Sequence, residues 1–418
     1  MKLEEIGFYT LSDRRVEKVS SSSPMQRGEI VLGDACNLKC TYCKGLRADC
    51  SKAMSTERAM EILDLWAMDG LRNVRFSGGE PTTYPKLLAL VAHAKDKGVK
   101  RIAISTNGTA PLENYDALLA AGLNDISISL DTDNAALGDA MVGGVAGYWD
   151  RAVEAIKYLA QRCYVTIGAV LTHDNSGDIP GLVEFISGLG VADIRIIPAA
   201  QNGAAIDGCA GIPNQTLERH PILKYRATNA VNGKPVRGLS ELDSRRCALV
   251  LDDSACAGQY HFPCIIYLRE KGEPIGKIGP LMREERVRWF REHDTFTDPI
   301  CKVNCIDVCV EHNNAVMRRD CGRSALDRMD SSLFDWRRWR IGCEWVAEFG
   351  FECRYNQIVS PHGKEIMRAH AVGWSPGGSL PCRPKSGHVG VMFWKGGRHF
   401  WTHLRENEFT EIWRETAI

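Results

Sequence analysis

Three cysteines on one short loop are the residues of this chain best placed to do chemistry. Cys36, Cys40 and Cys43 lie in the stretch Gly33-Asp34-Ala35-Cys36-Asn37-Leu38-Lys39-Cys40-Thr41-Tyr42-Cys43, a C-x3-C-x2-C spacing. Three thiolates on a loop this short can converge on three corners of a cubane iron–sulfur cluster, whose irons favour sulfur ligands. The fourth iron then has no protein ligand and stays open to a small molecule, much as a catalytic zinc keeps one position free. A structural zinc site would want four ligands in paired spacings. The loop offers no fourth cysteine or histidine, and Cys50 lies beyond the regular spacing.

The elements that must hold this loop alternate along residues 28–200. Short β-rich runs at 29–32, 73–76, 101–105, 125–130, 164–171 and 193–197 are nearly continuous in apolar character, which predicts parallel strands covered on their faces. Amphipathic stretches connect them. In the first, Ser55 or Thr56 can cap the helix, Glu57 suits its positive first turn, and Ala59, Ile62, Leu63 and Trp66 share one face. Gly70, Gly98 and Gly122 sit at or just past the ends of three such helices, where a left-handed residue is commonly needed. Six βα units in series imply an α/β fold, a partial (β/α)6 barrel with its helices outside. Active sites on such sheets gather at the C-terminal ends of the strands.

Polar motifs fall at those ends. After the second run comes Ser77-Gly78-Gly79-Glu80-Pro81, and after the third Ser105-Thr106-Asn107-Gly108. The fourth ends Ser127-Ile128-Ser129-Leu130-Asp131, and the fifth carries Val165-Thr166-Ile167-Gly168-Ala169-Val170. Together with the cysteine loop, in which Tyr42 is the aromatic residue of C-x3-C-x-aromatic-C, this ordered set resembles the radical S-adenosylmethionine (SAM) superfamily over residues 28–200. The resemblance implies a [4Fe–4S] cluster on Cys36, Cys40 and Cys43, with SAM as the second cofactor. It implies SAM contacts from Tyr42, Ser77, Gly78, Gly79, Glu80, Pro81, Ser105, Asn107, Ser129, Asp131 and Gly168. Glycines let a backbone approach closely, and exposed carbonyls with Glu80 suit the SAM ammonium. The implied reaction is reductive cleavage of SAM to a 5′-deoxyadenosyl radical that takes a substrate hydrogen, the cofactors carrying the chemistry. Lys39, Lys44 and Arg47 near the loop are placed to contact SAM or substrate, but solvated charges are the commoner fate of such side chains and the preferred reading.

Beyond residue 200 the pattern breaks. Cys247 and Cys264 flank a strand-like stretch, and Cys301-x3-Cys305-x3-Cys309 follows a helical segment. This resembles the SPASM or Twitch auxiliary-cluster domains that follow some radical SAM barrels, although C-x3-C-x3-C stands where C-x2-C is frequent. The resemblance implies an auxiliary [4Fe–4S] cluster on Cys247 and Cys264 with two of Cys301, Cys305 and Cys309. Zinc is the alternative, since four thiolates suit it too. Cys256 and Cys321 are alternative ligands, with small buried thiols the preferred reading; Cys163, Cys209, Cys343, Cys353 and Cys382 have no ligand-like grouping and read as packing residues. The expected domains are an N-terminal extension (1–27), the barrel (28–225), the auxiliary domain (240–330) and a C-terminal α+β region (331–418).

In that last region VGVMFW and RHFWTHL flank Lys395-Gly396-Gly397, a hairpin signal. The segment Phe334-Asp335-Trp336-Arg337-Arg338-Trp339-Arg340 interleaves bases with aromatics, as nucleic-acid clamps do. An amphipathic helix is preferred, because no recognisable RNA-binding module accompanies it.

Composition narrows the class. The chain has 418 residues, zero formal net charge, 44% hydrophobic and 25% charged residues, which are ordinary globular values. Nothing in the overall charge favours nucleic acid or acidic membranes. Sixteen cysteines without a signal peptide or an apolar span point to a reducing cytoplasm and metal-binding thiolates. Expected partners are a peptide or protein substrate, with a nucleotide or other small molecule as the alternative, and a low-potential donor such as flavodoxin or ferredoxin. The barrel also resembles the molybdopterin-precursor cyclase group, but the chain ends Glu415-Thr416-Ala417-Ile418 rather than in paired glycines, which argues against direct equivalence. A non-catalytic iron–sulfur protein is the reading from a different class; the intact motif set argues against it.

Overall fold

The structure, a computed structural model, describes residues 13–199 and 207–327 and the strands His388–Lys395 and Arg398–Arg405. The chain divides into two compact units, Met1–Leu239 with Arg245–His312, and Ser240–Ser244 with Asn313–Ile418. No helix among the described residues is long and apolar enough to cross a membrane.

The first unit is built on one sheet. Strands β1 (Arg27–Val31), β2 (Asn73–Ser77), β3 (Arg101–Thr106), β4 (Asp125–Ser129), β5 (Tyr164–Leu171) and β6 (Asp193–Pro198) pair in parallel, each with the next in sequence. This is the expected α/β partial barrel. The apolar character of the strands, however, is divided between two faces. Ile30, Val74, Phe76, Ile102, Ile104, Ile126, Ile128, Val165, Ile167, Ile194 and Ile196 join a single core with the helices. Alternate positions carry Glu29, Arg75, Ser77, Ser105, Asp125, Ser127, Ser129, Thr166 and Arg195. Because successive side chains point to opposite faces, these polar residues line the other, concave side.

Helices cover the apolar face. Thr56–Met68 starts at Ser55, whose side chain accepts from the Arg58 amide at 3.2 Å, and it buries Ala59, Ile62, Leu63 and Trp66 as the spacing predicts. Gly70, Gly98 and Gly122 do adopt positive φ at the expected helix ends.

The sheet does not stop at β1. Its free edge pairs in parallel with β7 (Asp253–Ala257), which continues antiparallel into β8 (Tyr260–Phe262) and β9 (Gly276–Lys277). Val31 of β1 packs with Ala255, Ala257, Phe262 and Leu268 in a second small core. Residues 13–27 also belong here: the Arg15 guanidinium donates to Asp252 at 2.6 and 2.9 Å, and Arg27 pairs with Asp253 at 2.7 Å, all largely buried. Such pairs specify an arrangement more than they stabilise it, since desolvation offsets much of the attraction.

In the second unit, β10 (His388–Lys395) and β11 (Arg398–Arg405) form the expected antiparallel hairpin, with Phe393 opposite Phe400. The 334–340 segment, Cys343, Cys353 and Cys382 lie outside the described residues, as does the side chain of Cys321.

Candidate functional site

The cysteine loop leaves the C-terminal end of β1 and is held by its non-cysteine residues. The Gly79 amide donates to the Gly33 carbonyl and the Glu80 amide to the Ala35 carbonyl, both at 2.8 Å. Asn107 Nδ2 donates to Asn37 Oδ1 at 2.8 Å, and Asn37 Nδ2 donates to Thr109 Oγ1 at 2.9 Å. The Lys39 and Thr41 amides donate to the Val142 and Met141 carbonyls at 3.0 Å. The Tyr42 hydroxyl donates to Asp131 Oδ2 at 2.5 Å. Residues 33, 35, 37, 39, 41 and 42 are thereby fastened to the ends of β2, β3 and β4 and to the 141–142 turn. Cys36 Sγ accepts from the Leu38 amide at 3.4 Å within the loop; Cys36 and Cys43 are exposed and Cys40 is half-buried.

Glycine is required where the second motif crosses the loop. A Cβ on Gly79 would stand 2.1 Å from the Ala35 carbonyl oxygen, and Gly78 has φ +147 with the Gly33 carbonyl 2.5 Å from its Cβ position. The close approach expected of these glycines is therefore made, in this structure, to the cysteine loop's own backbone.

Six side chains assigned to SAM by resemblance have protein partners in this structure: Tyr42, Glu80, Asn107 and Asp131 around the loop, and Ser77 and Ser105 on the concave face. Glu80 is 3% exposed and its carboxylate accepts from the Thr82 amide and hydroxyl, the Thr106 hydroxyl and the Asn107 amide, at 2.6–3.0 Å. Burial raises its pKa against those hydrogen bonds. Asp131, 5% exposed, accepts from Tyr42 and from the Val170 amide at 2.8 Å; burial pushes its pKa up to about 6. Asn107 spans Asn37 and Thr109. Each was read from sequence as a polar group at a strand end, where a ligand contact and a loop tether look alike. Ser77 donates to Glu29 at 2.6 Å, and Ser105 accepts from Arg75 at 2.8 Å, both on the concave polar face. Ser129 and Gly168 are register partners on that face, and Pro81 opens the 3-10 turn capped by Glu80.

Replacing Glu80 with glutamine puts an amide donor among four donors. The expected cost is about 1–3 kcal/mol, read as a lower urea midpoint at unchanged slope.

The thiols suit a cluster in donor type and accessibility. Burial raises the pKa of Cys36, and it pushes Cys40 up to about 11 together with the nearby Asp131 charge. Each of the two also senses Cys43. Binding as thiolate therefore depends on a strongly electrophilic metal at the loop.

In the second cysteine group, Cys247 and Cys305 pack against the small core that contains Cys309. Burial, then the nearness of Cys247 and Cys309, raises the Cys264 pKa, and burial, then Cys264 and Cys247, raises that of Cys301. Cys305 is raised first by its hydrogen bond with Cys309 and then by burial. Cys256 lies apart, buried in the main core, and Cys209 is buried there too, while Cys163 packs at its margin. One three-donor group among the described residues, His293, Asp298 and Cys301, has atoms within 4.8 Å of one another. Asp298 already accepts from the Ile300 and Cys301 amides at 2.8 Å and from the Tyr267 hydroxyl at 2.8 Å, so it acts as a hydrogen-bond hub. Lys44 and Arg47, read as solvated, are engaged: Lys44 pairs with Glu270 at 2.6 Å, and Arg47 donates to the Gly272 carbonyl at 2.8 Å. That link joins residues more than 200 apart in sequence, and no local signal announces it.

A partial parallel barrel with a three-cysteine loop seated at the C-terminal ends of its strands defines a class of iron–sulfur domain. Residues 30–186 match the family model of the Radical SAM superfamily, and this part of the chain is a radical SAM domain, a type that holds a [4Fe–4S] cluster and SAM. Curated relatives include a GTP 3′,8-cyclase of Caulobacter vibrioides, 33% identical over 185 residues, covering 40% of this chain and 50% of that protein. The PqqA peptide cyclase of Rhodopseudomonas palustris is 29% identical over 184 residues, covering 43% and 48%. The chain thus spans about half the length of these relatives or less. Among solved structures, Streptococcus suis SuiB bound to precursor peptide SuiA aligns over 67% of this chain and 66% of that one, at 19% identity and a TM-score of 0.47.

Proposed function

We propose that this chain is a radical SAM enzyme acting at the mouth of its barrel. Cys36, Cys40 and Cys43 hold the [4Fe–4S] cluster, and SAM lies between the open iron and the concave strand ends carrying residues 77–81, Ser105, Ser129 and Gly168. When bound, the pair supplies a 5′-deoxyadenosyl radical on one-electron reduction. The observation that supports this reading is the tethering of the loop's backbone and non-cysteine side chains to the strand ends, with Cys36 and Cys43 exposed. Glu80, Asn107 and Asp131 serve by fixing the loop's height above the strand ends. Of the backbone carbonyls of residues 78–80, that of Gly79 is the group suited to the SAM ammonium, since Arg269 donates to that of Gly78 and Thr83 to that of Glu80. A low-potential flavodoxin or ferredoxin supplies the electron.

Cys247, Cys264 and two of Cys301, Cys305 and Cys309 hold an auxiliary [4Fe–4S] cluster. The packing of Cys247 and Cys305 against the core that contains Cys309 supports a shared site. The substrate is a peptide or a nucleotide. The sequence reading preferred the peptide, but relatives named for each substrate match the barrel comparably, so the two stand level.

The test is anaerobic. Protein reconstituted with iron and sulfide, given SAM and dithionite, should release 5′-deoxyadenosine in a manner dependent on all three loop cysteines. A fully loaded cluster whose spectrum is unchanged by SAM, with no 5′-deoxyadenosine, would overturn the proposal. Stimulation by GTP, or by a peptide encoded beside the gene, separates the substrates.

A further inference from the structure

The two cysteine groups are joined by one short piece of chain. Cys264 precedes the helix Ile265–Arg269, and its sulfur accepts from the Tyr267 amide at 3.4 Å. At the other end of that helix, Arg269 Nη2 donates to the Gly78 carbonyl at 3.0 Å. The residues that follow hold the first loop: Glu270 takes Lys44 at 2.6 Å, and Arg47 reaches the Gly272 carbonyl at 2.8 Å and Glu273 at 3.0 Å. Underneath, Leu268 is fully buried with Val31, Leu46 and Cys50, so the helix shares a core with the start and end of the loop.

Gly78 is the residue on which this clasp bears. Its carbonyl shares a peptide plane with the Gly79 amide, which donates to the Gly33 carbonyl at 2.8 Å, so Arg269 and the cysteine loop hold the two sides of one peptide. A guanidinium donor on that oxygen is a charge-assisted hydrogen bond to a segment already zipped to the cysteine loop.

We propose that Arg269 is a positioning residue for SAM, acting through the Gly78 carbonyl, and that the short helix carries the state of Cys264 to the SAM site. The inference rests on the reading of Cys36, Cys40 and Cys43 as the SAM-binding cluster. Filling the auxiliary thiol group fixes the N-terminal end of the helix. The fixed helix holds Arg269 and Glu270 in register with Gly78 and Lys44. By reciprocity, SAM binding favours the filled auxiliary site.

The measurement is SAM affinity of anaerobically reconstituted full-length protein, by equilibrium dialysis, alongside iron content and the spectrum of the first cluster with and without SAM. Arg269→Met should weaken SAM binding about tenfold, the loss of one charge-assisted hydrogen bond, with the first cluster still loaded. Arg269→Lys should recover most of it, since a single donor suffices; a purely packing role would not distinguish lysine from methionine. Cys264→Ala should weaken SAM binding in the parent but add little in the Arg269→Met background, a coupling read by the double-mutant cycle. If Cys264→Ala fails to fold, Glu270→Gln, which cuts the Lys44 clasp and spares the thiols, replaces it in the cycle. Equal SAM affinity in parent and Arg269→Met, or additive losses, sinks the inference. A parent that loads its cluster yet binds no SAM sinks the functional reading instead.

Discussion

Cys40→Ala abolishes SAM cleavage while leaving the barrel folded. The loop's position is set by amides and side chains of its other residues, so removing the half-buried Cys40 thiol takes away a proposed cluster ligand and a marginal core contact. The stability change should lie within about 1 kcal/mol, the range for a substitution that breaks no buried network. Two assays on one preparation check this: 5′-deoxyadenosine released under dithionite, and the thermal transition of the apoprotein. Cys305→Ala provides the contrast. Its thiol lies in the second group, beside Cys309, and its loss should spare at least uncoupled SAM cleavage. Equal loss of cluster and fold in both variants would rule out two separable sites.

Gly79→Ala should be as damaging to activity, through geometry rather than ligation. The added methyl would stand 2.1 Å from the Ala35 carbonyl oxygen and 2.6 Å from that of Asp34, and both are backbone atoms with no rotamer to relieve the contact. The loop must lift, breaking the Gly79–Gly33 and Glu80–Ala35 hydrogen bonds. Overpacking of this kind costs about 1–3 kcal/mol, and each lost bond adds about 0.5–1.5 kcal/mol. The displaced loop carries Cys36, so iron at the first site and SAM cleavage should fall together while the second site loads normally. Gly98→Ala is the control. It adds φ strain at +80, which Gly79 does not carry, but meets nothing within 4 Å, and cleavage should survive it. Normal cleavage by Gly79→Ala would mean that the loop is not seated as described.

Much of the first site was legible because its signals are local. A C-x3-C-x2-C loop, a Gly-Gly-Glu-Pro turn and a Ser-x-Ser-x-Asp strand end are each a few residues long, and their order along alternating βα units already placed them at one edge of a parallel sheet. The helix caps and buried faces followed from short-range periodicity and held, as with Ser55 and the Ala59–Ile62–Leu63–Trp66 face.

The roles of Glu80, Asn107 and Asp131 were not legible. A polar residue after a strand satisfies either a ligand or a neighbouring loop, and only the burial of its atoms decides which. The division of the strands into an apolar and a polar face was blurred for a similar reason. Single arginines and serines among isoleucines read as noise until pairing aligned them into rows.

The sequence by itself determined the chemistry this chain can hold, the kinds of ligands and their spacing, and the βα framework, because those depend on neighbours within a few residues. Tertiary structure alone decided that β7 would extend the barrel sheet from β1, and that Arg269 would sit on Gly78. It also packed Cys247 and Cys305 against the core that contains Cys309. Those contacts join residues separated by up to more than two hundred positions. They are set by which buried edge and which unpaired carbonyl remain to be satisfied once the barrel has closed.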